Sequence, residues 1–184
     1  MKRLFLAINL PESLIMELQN LRFYLPTARW TMADQYHLTL LFLGELHGGQ
    51  FRDLQQVLTT LIAQWKFPSF PLRPQGVGAF HSRREARTLW VGMEKNRELE
   101  RLQKKLQQGL SSSDLDLDLE QRKFTPHITL ARLHQTPIPK VASFLETFGS
   151  FQSPPFTVNA IHLYSSLLTA KGAHYACEAT YSLS

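Results

Sequence analysis

The chain has a single cysteine, Cys177, among its 184 residues. An internal disulfide and a zinc site built on paired thiolates are therefore excluded. Long apolar runs are missing too. The longest, such as residues 38–43, fall far short of the roughly 20 residues a membrane-spanning helix needs. The opening Met-Lys-Arg and its short apolar run are interrupted by Asn9 and Pro11, and no small-residue cleavage site follows. That stretch reads as a first strand rather than a signal peptide, so a cytoplasmic protein with no membrane partner is expected. Charged residues are only 19% of the chain and apolar residues 43%, which suits one compact domain and gives no sign of disorder. The formal charge of +5 leans weakly toward an anionic partner such as RNA.

Hydrophobic periodicity divides what is present. Residues 3–10 are a short apolar stretch that reads as a strand. Pro11 then suits the first turn of a helix over 11–24, carried by Leu14, Ile15, Leu18 and Leu21 and limited by Pro26. Residues 37–43 read as a buried strand ended by Gly44, and Gly48-Gly49 as a turn. A second helix follows, with Phe51, Leu54, Leu58, Leu61, Ile62 and Trp65 along one face. Strands are expected at 70–73, 76–82 and 88–93, the last two joined by a basic tip at 82–87 containing Arg83, Arg84 and Arg87. Leu99, Leu102, Leu106 and Leu110 mark a third helix. Residues 111–123 are the least structured, either a strand with one buried face or a loop with apolar anchors. A strand at 127–132, a helix opened by Pro139, and strands at 156–165 and 174–183 joined near Lys171-Gly172 complete the chain. The expected fold is α+β: one domain, 1–184, of two similar lobes dividing near residue 90. Each lobe is a mainly antiparallel sheet with helices on its outer face.

Two strands open alike, His37-Leu38-Thr39-Leu40 and His127-Ile128-Thr129-Leu130, with 127 − 37 = 90 residues between them. Side chains two apart on a strand share a face. His37 and Thr39 should therefore point one way with Leu38 and Leu40 in the core, and likewise His127 and Thr129 against Ile128 and Leu130. A lone histidine on an apolar strand is usually a packed core residue. Two such motifs, one in each half, are much harder to attribute to chance. An imidazole, with a reference pKa of about 6.5, can serve as acid or base near neutrality. Two of them facing across a cleft suit in-line displacement at phosphorus, one activating water and the other protonating the departing oxygen. The threonine hydroxyls could hold the non-bridging oxygens. His47, His81, His134, His162 and His174 lack this context and read as surface or core residues.

With these motifs the chain resembles the two-histidine phosphoesterase superfamily, most closely the bacterial and archaeal RNA 2′,3′-cyclic phosphodiesterases, also described as 2′-5′ RNA ligases. The resemblance rests on residues 3–11, on His37 through Gly44, on Leu89-Trp90-Val91-Gly92, and on Phe124 through Arg132. It implies a bilobal fold with a pseudo-twofold axis, a site in the central cleft, and hydrolysis of an RNA 2′,3′-cyclic phosphate end or cyclic nucleotide to a 2′-phosphate. No metal and no cofactor are implied, and a monomer is expected. By motif, His37 would be the proton donor to the leaving 3′ oxygen and His127 the proton acceptor that activates water. Thr39, Thr129 and Arg132 would bind the phosphate. Arg132 lies five residues after His127, so strict alternation puts it on the opposite face; it reaches the phosphate only if the strand ends or bulges there.

Other readings remain open at this level. The same chemistry reversed would be 2′-5′ RNA ligation, and a non-catalytic module could bind an RNA end. A metallohydrolase is disfavoured because no carboxylate or third histidine accompanies the pair at ligand spacing. The basic tip could touch RNA phosphates, although such clusters are usually just solvated. Phe124, Trp30 and Phe80 could stack a base, although aromatics at such positions are more often core.

Overall fold

The computed structural model describes residues 2–82, 85–169 and 172–184. They contain two runs of one plan. The first passes through β1 (Lys2–Asn9), α1 (Glu12–Asn20), a short β2 (Arg29–Trp30), β3 (His37–Leu46) and α2 (Gly48–Trp65). A short β4 (Phe70–Leu72) and a long β5 (Pro74–Ser82) follow. The second run is β6 (Glu85–Met93), α3 (Arg97–Ser111), β7 (His127–Arg132) and α4 (Ile138–Phe148). The chain closes with β8 (Phe156–Val158), β9 (Ala160–Thr169) and β10 (Gly172–Ser182).

The long strands line up as β10-β9-β1-β3-β7-β6-β5, with β2 on β7, while β4 and β8 pair separately. Every described pairing is antiparallel. At its centre the sheet nearly splits. Among the described residues β3 and β7 share one Cα pair, Leu38 with Ile128, and diverge beyond it. The result is two lobes, β10-β9-β1-β3 and β7-β6-β5.

Each run lends its first helix to the other lobe. α3 packs on β3 and α2, and α2 reaches β10, so both cover the first lobe. α4 packs on β5, and α1 leads into Tyr24, whose ring meets Phe148 of α4 edge-on at 4.8 Å. The lobes therefore do not divide near residue 90, which sits inside β6. The C-terminal strands β9 and β10 join the first lobe by pairing with β1, a non-local pairing that no local pattern announces.

Burial follows the two periodicities. Leu4, Leu6 and Ile8 of β1 are buried toward the helices, as are Leu38 and Leu40 of β3 and Ile128 and Leu130 of β7. Leu54, Leu58 and Ile62 of α2 and Leu99, Leu102, Leu106 and Leu110 of α3 meet them. Each such side chain stabilises the fold by about 1.5–3 kcal/mol as an upper figure.

Several local expectations change. The first helix ends at Asn20 and tightens into a 3₁₀ turn at Leu21–Tyr24. β3 does not stop at Gly44: it continues to Leu46 through a positive φ of 78° at Gly44, a conformation glycine adopts without strain. Gly48 and Gly49 are not a free turn but the first turn of α2, where the His47 N–H donates to Gln50 Oε1 at 3.3 Å. Of the two readings left open for residues 111–123, the loop with apolar anchors is the one found: residues 112–126 form no strand among the described residues, and Leu115, Leu117 and Leu119 pack on the core. The strand expected at 156–165 is two, β8 and β9, breaking at Asn159. Arg83, Arg84 and Lys171 lie outside the described residues.

Candidate active site

β3 and β7 meet end to end at the centre of the sheet, and each begins with its histidine. The Leu38–Ile128 pair puts both aliphatic side chains at 0% exposure. Their neighbours His37, Thr39, His127 and Thr129 consequently share the opposite, open face, where all four are partly buried. That face forms the floor of the cleft between the lobes, with all four side chains left partly accessible.

The two imidazoles are held in the same way. His37 Nδ1 donates to the Gln35 carbonyl at 2.7 Å, and His127 Nδ1 donates to the Thr125 carbonyl at 2.7 Å. In each case the acceptor lies two residues back along the chain. A backbone carbonyl can only accept, so the proton of a neutral ring stays on Nδ1 and Nε2 is the nitrogen free for proton transfer. His37 Nε2 lies 3.0 Å from Thr39 Oγ1, whose hydroxyl can donate to it. Burial lowers the pKa of His37 below the ordinary histidine range; the Gln35 carbonyl opposes this, and the nearby His127 adds to it. Burial also lowers the pKa of His127, with the Thr125 carbonyl opposing, the Arg132 charge lowering it further and Glu120 raising it. The surroundings differ. Phe5 and Tyr175 pack on His37 with ring centres 4.9 and 5.3 Å away. Phe80 meets His127 edge-on at 4.7 Å, with Trp90 at 6.5 Å.

Arg132 reaches the same face because β7 bulges. Against β6, Thr129 pairs with Trp90 but Ala131 pairs with Leu89, so Leu130 is an extra residue. Leu130 and Ala131 are both fully buried, and alternation restarts one step out of phase. Arg132 thus returns to the side of His127 and Thr129, exposed, with Nη1 donating to Thr88 Oγ1 at 2.8 Å. Thr31, just after β2, stabilises the irregular turn of chain: its N–H donates to Leu130 O at 2.8 Å and its hydroxyl to Thr129 O at 3.0 Å.

β3 carries the matching bulge. Thr39 pairs with Ala7 and Leu41 with Leu6, leaving Leu40 extra. The residue 90 positions before Arg132 is Phe42, and it too returns to the cleft face, 42% exposed, with its ring 6.1 Å from Phe5. One lobe therefore presents a guanidinium where the other presents a phenyl ring. Sequence reading missed Phe42 and Tyr175. A signal for Phe42 was there, since each motif is followed by two apolar residues in a row, which breaks strict alternation.

The other aromatics sort differently. Trp30 belongs to the core side, packed on Phe144 at 6.0 Å with Nε1 donating to Leu25 O. Phe124 is partly buried against the core. Phe80 stands in the cleft. Trp90 lies flat over Gly78, where a Cβ would come within 2.2 Å of its ring. Among the described residues no group of three or more His, Cys, Asp or Glu is placed to hold a metal ion, and no helix is long and apolar enough to cross a membrane.

A family model described as the 2′-5′ RNA ligase superfamily matches residues 10–169. The chain belongs to that superfamily. Among its relatives is an RNA 2′,3′-cyclic phosphodiesterase of Thermotoga maritima, 31% identical over 148 residues, covering 80% of this chain and 75% of that protein. Another protein of that name, from Archaeoglobus fulgidus, is 27% identical over 176 residues, covering 94% and 96%. The solved structure of E. coli LigT complexed with 3′-AMP superposes with a TM-score of 0.78 and 27% identity, over 99% of this chain and 98% of that one. The match thus extends over both lobes.

Proposed function

We propose that the chain hydrolyses RNA 2′,3′-cyclic phosphate ends to 2′-phosphomonoesters without a metal. The carrying observation is the pair of imidazoles on one cleft face, each anchored through Nδ1 to a carbonyl two residues back, so that Nε2 is the nitrogen that exchanges protons and in His37 does so beside the Thr39 hydroxyl. His127 takes a proton from water as its oxygen bonds to phosphorus. His37 gives a proton to the 3′ oxygen as the P–O3′ bond breaks. One ring must be neutral and the other charged; burial lowers the pKa of both, and the His127 charge lowers that of His37 further, so the doubly protonated state is scarce near neutrality. Thr39, Thr129 and Arg132 hold the non-bridging oxygens, while Phe42 offers a face for the base or ribose. The relatives' names support the substrate class. In this reading the protein works as a cytoplasmic monomer, a single domain of two lobes.

The test is an RNA oligonucleotide with a 2′,3′-cyclic end, incubated in excess EDTA and followed by product analysis. A 2′-phosphate is expected; a 3′-phosphate, or activity lost with chelator, refutes the mechanism. The superfamily's description favours a second reading, 2′-5′ ligation, in which a ribose hydroxyl replaces water. Adding a second RNA with a 5′-hydroxyl end and looking for joined product separates the two.

A further inference from the structure

The pseudo-symmetry of the cleft is broken by an arm. β9 and β10 form a long hairpin on the far side of β1 from β3, yet the end of β10 near its start returns to His37. Gln35 Nε2 donates to Ala173 O at 2.6 Å, and the Tyr175 ring stands edge-on to His37 at 5.3 Å and 88°. Tyr175 also meets Phe5 at 5.2 Å. Gln35 thereby does two things at once. Its carbonyl accepts from His37 Nδ1, and its side chain ties down the arm that carries Tyr175. Among the described residues no comparable tie holds His127, whose aromatic neighbours Phe80 and Trp90 come from the strands of its own lobe.

The Tyr175 hydroxyl makes no hydrogen bond among the described residues, although the ring is partly buried. Two cations, Arg132 of the second lobe and Arg3 of β1, act on it electrostatically and favour its ionised form. Burial outweighs them and keeps the phenol protonated, so it is a donor and not an anion. Its ring therefore lies on the histidine of one lobe while its hydroxyl lies within the field of the arginine of the other. Those are the two groups that a phosphate in the cleft must touch.

The geometry points to Tyr175 as a further phosphate-binding residue, its hydroxyl donating to a non-bridging oxygen opposite Arg132 and closing the anion site from the arm. This deepens the proposed activity and rests on it for the substrate, but the anion contact is testable without turnover. Tyr175→Phe keeps the ring on His37 and removes only the hydroxyl; Tyr175→Leu removes both. Inorganic phosphate binding, measured by titration calorimetry, and kcat/KM on a cyclic-phosphate oligonucleotide are compared, with the His37 pKa read by NMR. The expected result is about a tenfold or greater loss of phosphate affinity and of kcat/KM in Tyr175→Phe, the loss typical of one hydrogen bond to a charged group, with the His37 pKa unmoved. Tyr175→Leu should in addition raise the His37 pKa toward its ordinary range. If Tyr175→Phe binds phosphate like the wild type, and only Tyr175→Leu is impaired, the residue merely packs on His37 and the inference is overturned. If the wild type binds phosphate but opens no cyclic phosphate, the proposed activity fails, and the ratio of phosphate affinities alone decides for or against Tyr175.

Discussion

Replacing Arg132 by Gln tests the bulge that turns it into the cleft. Arg132 is exposed and its described contact is one hydrogen bond to Thr88, so the fold should lose little, within about 0.5 kcal/mol. The cost falls on the phosphate instead. A hydrogen bond to a charged group is worth about 1.5–3 kcal/mol, and each 1.4 kcal/mol is tenfold, so kcat/KM on a cyclic-phosphate oligonucleotide should fall by roughly 10- to 150-fold. Arg132→Lys should lie between, because it keeps the charge and loses the fork that matches two oxygens. The same substitution has a second readout. The guanidinium charge disfavours protonated His127, so removing it should raise the His127 pKa toward the ordinary range, moving one limb of the kcat/KM profile to higher pH. Steady-state kinetics across pH and an NMR titration of His127 measure both effects. An Arg132→Gln enzyme within twofold of wild type, with an unshifted His127, would refute the idea that the bulge delivers this side chain to the phosphate.

Other perturbations follow from the same geometry. Phe42→Ala should raise KM for an oligonucleotide by about 10-fold or more, since a base stacked on an aromatic ring is worth roughly 1–3 kcal/mol, while inorganic phosphate should inhibit as before; equal KM values would remove Phe42 from the substrate site. Gly78→Ala drives a Cβ to 2.2 Å from the Trp90 ring and should cost about 1–3 kcal/mol of stability by overpacking, read as a lower urea midpoint; an unchanged midpoint contradicts the close packing there. Burial lowers the pKa of His37, His127 and His162, whereas in the unfolded chain they titrate near 6.5. Above about pH 6.5 they are neutral in both states, and as pH falls through the window below it the unfolded chain takes up protons first, so stability should drop. Urea melts at pH 7.5 and 5.5 check this, and equal or greater stability at the lower pH speaks against it.

The lining of the cleft was legible in the sequence because period-two alternation is a local property. His37 with Thr39, and His127 with Thr129, share a face for the same reason that Leu38 and Ile128 are buried. The leucines of α2 and α3 were legible in the same way. Arg132 was not, since its side of the sheet depends on an extra residue, Leu130, that only the pairing with β6 reveals. Phe42 turns on the same device on β3, for which the double apolar step Leu40-Leu41 is a hint in the sequence and the pairing with β1 the proof. Tyr175 was further out of reach: it lies 138 positions from His37 (175 − 37) and arrives by a hairpin that pairs with β1 and is tied to Gln35. The lobe boundary failed for a related reason, because strand order is set by non-local pairing and two helices cross between lobes.

The central claim is that two imidazoles work as a unit on one phosphorus atom. Its most direct test is kcat/KM for a cyclic-phosphate oligonucleotide, in EDTA, with wild type, His37→Ala, His127→Ala and the double variant. Each single variant should lose about 10²- to 10⁴-fold, and the double should lose far less than the product of the two. Either single variant retaining activity within a few-fold of wild type would contradict the account.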